Sequence, residues 1–139
     1  MDSRGITLLG LGPGDPDLLT RRAWRVLGSA EEVYLRTRHH PVVEHLPPHL
    51  IVHSFDYLYE ESQTFEDVYR RIVEQVLELS QRPQGVIYAV PGHPFIAETT
   101  GVEIMRQAQQ LSIAVIVVEG VSFIGPTFSA LGRDPLPQV

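Results

Sequence analysis

Gly10-Leu11-Gly12-Pro13-Gly14-Asp15-Pro16 divides two hydrophobic periodicities and so limits what this chain can fold into. Ahead of it, Ile6-Thr7-Leu8-Leu9 is a short apolar run of strand type. Behind it, Leu18, Leu19, Ala23, Val26 and Leu27 recur at helical spacing. A strand that turns through glycines into a helix exposes backbone to close approach, and Pro13 stiffens the turn. In open α/β sheets, loops at the carboxyl ends of strands are where ligands bind.

The glycine spacing bears on the kind of ligand. A dinucleotide fingerprint, Gly-x-Gly-x-x-Gly, would need its third glycine at Asp15. Asp15 instead reads as a helix N-cap, with Pro16 at the first helical position and Asp17 in the first turn. Two carboxylates at the positive end of a helix dipole disfavour a pyrophosphate there. The loop suits a neutral or cationic group. Read alone, it is equally a structural turn that binds nothing.

The strand-then-stiff-loop pattern occurs twice more. Gly85-Val86-Ile87-Tyr88-Ala89-Val90 reads as a buried strand running into Pro91-Gly92-His93-Pro94-Phe95-Ile96-Ala97, then a helix. Ala114-Val115-Ile116-Val117-Val118 is the most strand-like run. It enters Glu119-Gly120-Val121-Ser122-Phe123 and a helical stretch from Ile124 to Leu131. Three such loops would gather on one edge of a parallel sheet.

Between them, the first helix is expected to end with Gly28 at its C′ position, before a strand at Val33-Tyr34-Leu35. A short helix over Val42 to Leu46 stops at Pro47-Pro48, and Leu50-Ile51-Val52 is a brief third strand. The clearest helix spans Thr64 to about Gln81. Thr64 and Asp67 have capping-box spacing, and Phe65, Val68, Tyr69, Ile72, Val73, Val76 and Leu77 form one apolar stripe. Tyr57 and Tyr59 fall in an acidic, loop-like segment with the composition of a lid.

The chain has 139 residues and a net charge of −6, enough length for one core and the wrong sign for nucleic acid or an anionic membrane surface. No apolar run approaches the roughly 20 residues of a membrane span. With no secretion-type leader either, a cytoplasmic location is the expectation. It has no cysteine, so neither disulfides nor thiolate metal sites arise. His39 and His40 are adjacent and diverge, and Pro47-Pro48 interrupts the i+4 series His45, His49, His53, so no metal site is expected. Ser122 lacks the Gly-x-Ser-x-Gly context of a hydrolase nucleophile.

In this order the three loops resemble those of the tetrapyrrole methylase family of S-adenosylmethionine-dependent methyltransferases. That family opens with Gly-x-Gly-Pro-Gly-Asp, matched by Gly10 to Asp15, followed here by Leu18-Leu19-Thr20. Its second loop reads Gly-Asp-Pro, here Gly92-His93-Pro94. Its third reads like Pro-Gly-Val-Ser-Ser, here Glu119-Gly120-Val121-Ser122-Phe123. Leu35-Arg36-Thr37-Arg38-His39-His40-Pro41, Ser54-Phe55-Asp56 and Tyr88 to Pro94 resemble the subgroup joined to a MazG-type nucleotide pyrophosphohydrolase domain.

The resemblance implies an α/β fold of three layers. A mostly parallel five-stranded sheet carries helices on both faces, as in the first subdomain of a class III methyltransferase. That subdomain would occupy 1–132, with 133–139 starting a linker to a second one. S-adenosylmethionine would lie between the two, contacted by Pro13, Pro91, Gly92, His93, Ile96, Ser122 and Phe123. Gly12, Gly14, Asp15 and Arg36 would face a small-molecule acceptor, with Arg21, Arg22 and Arg38 also available at the rim. Histidine replaces the family aspartate at position 93, so donor binding is expected to weaken as His93 protonates. The apolar stretch from Val121 to Leu131 favours a homodimer. A ligand-sensing or docking module of the pyrophosphohydrolase is the alternative to a methyltransferase.

Overall fold

The computed structural model describes residues 2–136. Five strands, β1 (Ile6–Gly10), β2 (Glu32–Leu35), β3 (Ile51–Ser54), β4 (Val86–Val90) and β5 (Val115–Val118), form one sheet in the order β3-β2-β4-β1-β5. Every ladder is parallel. The helices are α1 (Arg21–Ser29), α2 (Asp56–Glu61), α3 (Phe65–Leu79), α4 (Thr99–Gln110) and α5 (Ile124–Leu131).

Two cores lie on opposite faces of the sheet, as the period-2 alternation of strand side chains requires. Ile6 and Leu8 of β1 and Val86, Tyr88 and Val90 of β4 pack with Leu58, Val68, Ile72, Val76 and Ile104 from α2, α3 and α4. Leu9 and Ala89 face the other way, onto Ala23 and Leu27 of α1 and onto Val42 and Leu46. This is the expected three-layer α/β architecture, with a sheet that is parallel throughout.

The strand order creates a topological switch. From β1 the chain crosses through α1, on one face, to β2. From the adjacent β4 it crosses through α4, on the other face, to β5. Beyond the loops after β1 and β4 the chain therefore departs to opposite faces of the sheet, which makes this the switch point at the carboxyl edge, where open sheets bind ligands.

Several local expectations change. Gly28 lies inside α1, which leaves through Ala30 in extended backbone straight into β2. Asp15 caps only the three-residue 3₁₀ turn Pro16–Leu18, accepting from the Asp17 amide. α1 has its own N-cap, Thr20, which accepts from the Ala23 amide. The carboxylates of Asp15 and Asp17 thus sit on a separate turn, and α1 does not begin with the anionic start expected of it. Residues Pro41–His45 form a 3₁₀ turn, because Pro41 opens it and Pro47 follows within two residues of its end. Tyr57 and Tyr59 belong to α2, where Tyr59 packs against the core and against Phe65. The Thr64 cap holds as read, and α3 ends at Leu79. Of the expected linker, 137–139 lies outside the described residues.

The carboxyl edge is held by glycine backbones in contact. A Cβ on Gly10 would sit 2.4 Å from the Gly92 carbonyl oxygen and 2.7 Å from Cα of Gly120. One on Gly120 would sit 2.1 Å from the same Gly92 oxygen. Gly10→Ala and Gly120→Ala are each expected to destabilise the fold by about 1–3 kcal/mol or more. Gly28 has nothing within 4 Å of a built Cβ, so Gly28→Ala is expected to stabilise it by about 0.5–1 kcal/mol. Urea unfolding midpoints read both signs; a neutral Gly120→Ala would mean the loops do not touch.

Candidate functional site

The loop after β1 and the loop after β4 are hydrogen-bonded to each other. The Gly12 amide donates to the Gly92 carbonyl at 3.2 Å, and the Gly92 amide to the Gly12 carbonyl at 2.8 Å. The loop after β5 joins through the Thr20 hydroxyl, which donates to the Glu119 carbonyl at 3.2 Å. These contacts frame a cavity of about 200 Å³ at the carboxyl edge.

Segments after four strands line it: Gly12 and Pro13 after β1, Arg36 and His40 after β2, Pro91 to Glu98 in part after β4, Ser122 and Phe123 after β5. Of the residues singled out from sequence, Gly12, Pro13, Arg36, Pro91, Gly92, Ile96, Ser122 and Phe123 come together here. His93, Gly14 and Asp15 do not line the cavity. The His93 Nδ1 accepts from the Phe95 amide at 3.0 Å and so closes its own turn. A Cβ on Gly14 would point at Pro41, and Asp15 is occupied as a cap. A larger hollow of about 600 Å³ lies between α3 and α4 and shares Ala97 and Glu98 with the first.

Of the polar wall of the cavity, the sequence marks Arg36 and misses Glu98. Glu98 is buried, with its side chain 2% exposed, and accepts from Arg36 Nη1. Its other oxygen accepts from the Thr100 hydroxyl at 2.6 Å. Because the Thr100 proton goes to Glu98, the buried Tyr88 hydroxyl at 2.8 Å must donate to Thr100. Burial pushes the Tyr88 pKa well above its ordinary value, and the nearby Glu98 charge adds to that, so Tyr88 stays a neutral donor. Arg36 Nε is buried without a partner. Such an orphan costs about 1–3 kcal/mol unless something satisfies it. Ala97, beside this chain, has φ of 54°, a strained value for a side chain with a Cβ.

The segment from Arg36 to His40 is clamped from both ends. Asp56 accepts from the Thr37 hydroxyl at 2.6 Å and from the Arg38 amide at 2.8 Å. Burial raises the Asp56 pKa, but these bonds, with one from Ser54, outweigh it and hold the carboxyl below its ordinary value. At the other end, His40 Nε2 lies 3.0 Å from the Gly12 carbonyl, and Nδ1 accepts from the Val42 amide at 3.3 Å. The two partners fix the neutral ring with its proton on Nε2. Among the described residues, no group of three His, Asp or Glu side chains could hold a metal ion, and no helix is long and apolar enough to cross a membrane.

The family model for tetrapyrrole (corrin/porphyrin) methylases matches residues 5–136. The chain belongs to that family. It is 39% identical over 132 residues to the uncharacterized protein YabN of Bacillus subtilis, covering 94% of this chain and 27% of YabN. It is 33% identical over 120 residues to a siroheme synthase of Saccharophagus degradans, covering 84% of this chain and 25% of that protein. Among solved structures, the uroporphyrin-III C-methyltransferase of Thermus thermophilus is similar, with TM-score 0.64 and 26% identity over 94% of this chain and 54% of that one. A cobalt-precorrin-4 methyltransferase shares the fold, with TM-score 0.67 at 19% identity, over 96% of this chain and 52% of that one. The chain thus spans about a quarter of the curated relatives' length and about half of these methyltransferases.

Burial lowers the His40 pKa below 6.5; the Gly12 bond opposes this and the Arg36 charge adds to it. The unfolded chain therefore takes up this proton first. The stability that neutral His40 contributes is complete above pH 6.5 and is lost as pH falls through that value toward the lower folded pKa. Ring titration by NMR is expected to give a His40 midpoint below 6.5, and His40→Gln to flatten that part of the stability–pH curve. A midpoint at or above 6.5 would contradict the neutral tether.

Proposed function

We propose that this chain is the first half of an S-adenosylmethionine-dependent methyltransferase of the tetrapyrrole methylase type, and that the carboxyl-edge cavity is its part of the donor site. The observation that carries the reading is the convergence of three glycine-containing strand-to-helix loops on one hollow at the switch between β1 and β4. The Thermus enzyme has also been solved with S-adenosylhomocysteine, and its fold matches this chain with TM-score 0.60 at 24% identity. The cavity's 200 Å³ falls below the roughly 300–1,000 Å³ of complete small-molecule pockets, as half a site would.

Bound there, the sulfonium would supply a methyl group for in-line displacement by an acceptor nucleophile. The residues present suit the accompanying task, which is alignment. Hydrogen-bonded glycine loops, Pro13 and Pro91 give a stiff floor, and correct placement of donor and acceptor is worth about 7–11 kcal/mol. Arg36 and Gly12 face the space where a small-molecule acceptor would approach. Gly14 and Asp15 lie on the same loop outside the hollow and would reach only a larger acceptor.

A second reading rests on length. The aligned segment makes up 27% of YabN but 54% of the Thermus methyltransferase, so YabN is about twice as long as a bare two-subdomain enzyme. That leaves room for a further domain, as in the MazG-type pyrophosphohydrolase fusions. In such a protein this module could sense a ligand without turning it over. The readings part on chemistry: a transferase forms S-adenosylhomocysteine from the donor and an acceptor, whereas a sensor leaves the sulfonium intact.

The exposed apolar side chains of β5, α5 and the residue that precedes α5, among them Ile116, Phe123, Ile124 and Leu131, bear on partners. α5 buries none of its residues. In a longer protein the second subdomain would cover this face, and in the isolated chain a second copy would. Titration of the ¹⁵N-labelled chain with S-adenosylmethionine is expected to shift the Gly12, Gly92 and Ser122 amides with weak, roughly millimolar affinity. Shifts confined to the hollow between α3 and α4, or none at all, would overturn the donor-site assignment. Light scattering at high concentration is expected to show dimers; a strict monomer would remove the self-association claim.

A further inference from the structure

We infer that Glu98 sets the ligand charge this cavity accepts: by cancelling Arg36 it makes room for a cationic donor. The inference rests on the donor-site reading above. Among the described residues lining the cavity, the formal charges belong to Arg36 and Glu98. His40 is held neutral by its two partners, and Tyr88 behind the wall is neutral as well. The remaining lining groups are backbone, proline, small or apolar side chains and the Ser122 hydroxyl.

An arginine alone at this edge would repel a sulfonium. The aspartate that the family places in the second loop has become His93 here, and His93 turns away into its own loop. The carboxylate facing the cavity comes instead from Glu98, five residues on. Its side chain is almost wholly buried, and the Thr100 and Tyr88 hydroxyls fix it against Arg36. The pair is neutral as a whole, and it leaves Arg36 Nε–H without an acceptor of its own. A wall without net charge is what a sulfonium needs from this side of its site. A pair that served packing alone would not need to line the cavity.

The test uses the charge difference between S-adenosylmethionine, a sulfonium, and S-adenosylhomocysteine, the neutral thioether of nearly the same shape. Dissociation constants for both are measured by amide-shift titration of the whole chain. Glu98→Gln keeps a hydrogen-bonding side chain but leaves Arg36 uncompensated. It is expected to raise the ratio of the sulfonium to the thioether dissociation constant about tenfold, with the thioether value little changed. Arg36→Gln leaves Glu98 uncompensated and is expected to move the ratio the other way. The double variant Arg36→Gln/Glu98→Gln is expected to restore it.

The same spectra report folding, so a variant that loosens the fold is recognised by its dispersion. Should Glu98→Gln not fold, the opposite shift in Arg36→Gln and its absence in the double variant still decide the matter. Equal weakening of both ligands in the folded variants would make the pair merely structural and overturn the inference, while leaving the donor-site reading intact. Failure of the wild-type chain to bind either ligand would overturn both.

Discussion

The carboxyl edge depends on three backbones lying closer together than any side chain would allow. Gly10, Gly92 and Gly120 stand at or just past the ends of β1, β4 and β5; a Cβ on Gly10 or Gly120 would run into the Gly92 carbonyl and into the other's backbone, while Gly92 itself takes a φ of 69° that glycine tolerates best. Parallel strands lie about 4.8 Å apart, and their loops normally splay to make room for side chains. Removing those side chains lets the loops stay in register past the sheet, where Gly12 and Gly92 exchange two hydrogen bonds. The sheet is in effect extended by one bridge on its functional edge. A cavity floor made of paired backbone neither swings like a side chain nor frays like an open loop.

That contact also explains which parts were legible in the sequence. Glycines and prolines after apolar runs are local signals, so the three loops, their strands and a mostly parallel α/β sheet could be read directly, while the three layers came with the family resemblance. The capped helix from Thr64 was equally plain, because side chain and amide are three residues apart. The misses share another origin. Glu98 follows the second loop and has nothing local to mark it, since its partner Arg36 is 62 residues away in sequence. His40 looked like half of a histidine pair and became a tether because Gly12, 28 residues earlier, offers it a carbonyl. The strained backbone at Ala97 has no sequence signature. A rule of thumb would have helped with Glu98 alone: a glutamate just before a helix that begins Thr-Thr-Gly-Val, and just after a ligand loop, invites the question of what it pairs with.

The revised N-terminus of α1 sharpens the electrostatics of the site. Placing Asp15 and Asp17 at a helix start made the loop seem hostile to anions. With those residues on a separate 3₁₀ turn, the charges beside the cavity are those of Arg36 and Glu98, which stand side by side in its wall. Selection by an ion pair differs from selection by a dipole. A dipole favours one sign of charge, whereas a balanced pair removes the repulsion that Arg36 alone would offer a cation. Buried pairs of this sort are poor stabilisers, because desolvation consumes most of the Coulomb gain. The place of this pair at the cavity wall is therefore easier to attribute to what it faces than to what it holds together.

The two edges of the sheet then suggest how the work is divided. At the β3 side Arg82 pairs with Glu32, His53 hydrogen-bonds the other Glu32 oxygen and stacks on Tyr34, and Arg82 lies over the Tyr34 ring, although Ile51 is exposed there. At the β5 side, Ile116 is 55% exposed and α5 sits on the surface with apolar residues outward. An unpaired apolar edge strand beside an uncovered helix is normally a liability. Here it adjoins Ser122 and Phe123, which line the cavity, so a partner seated on α5 would also lie beside the hollow.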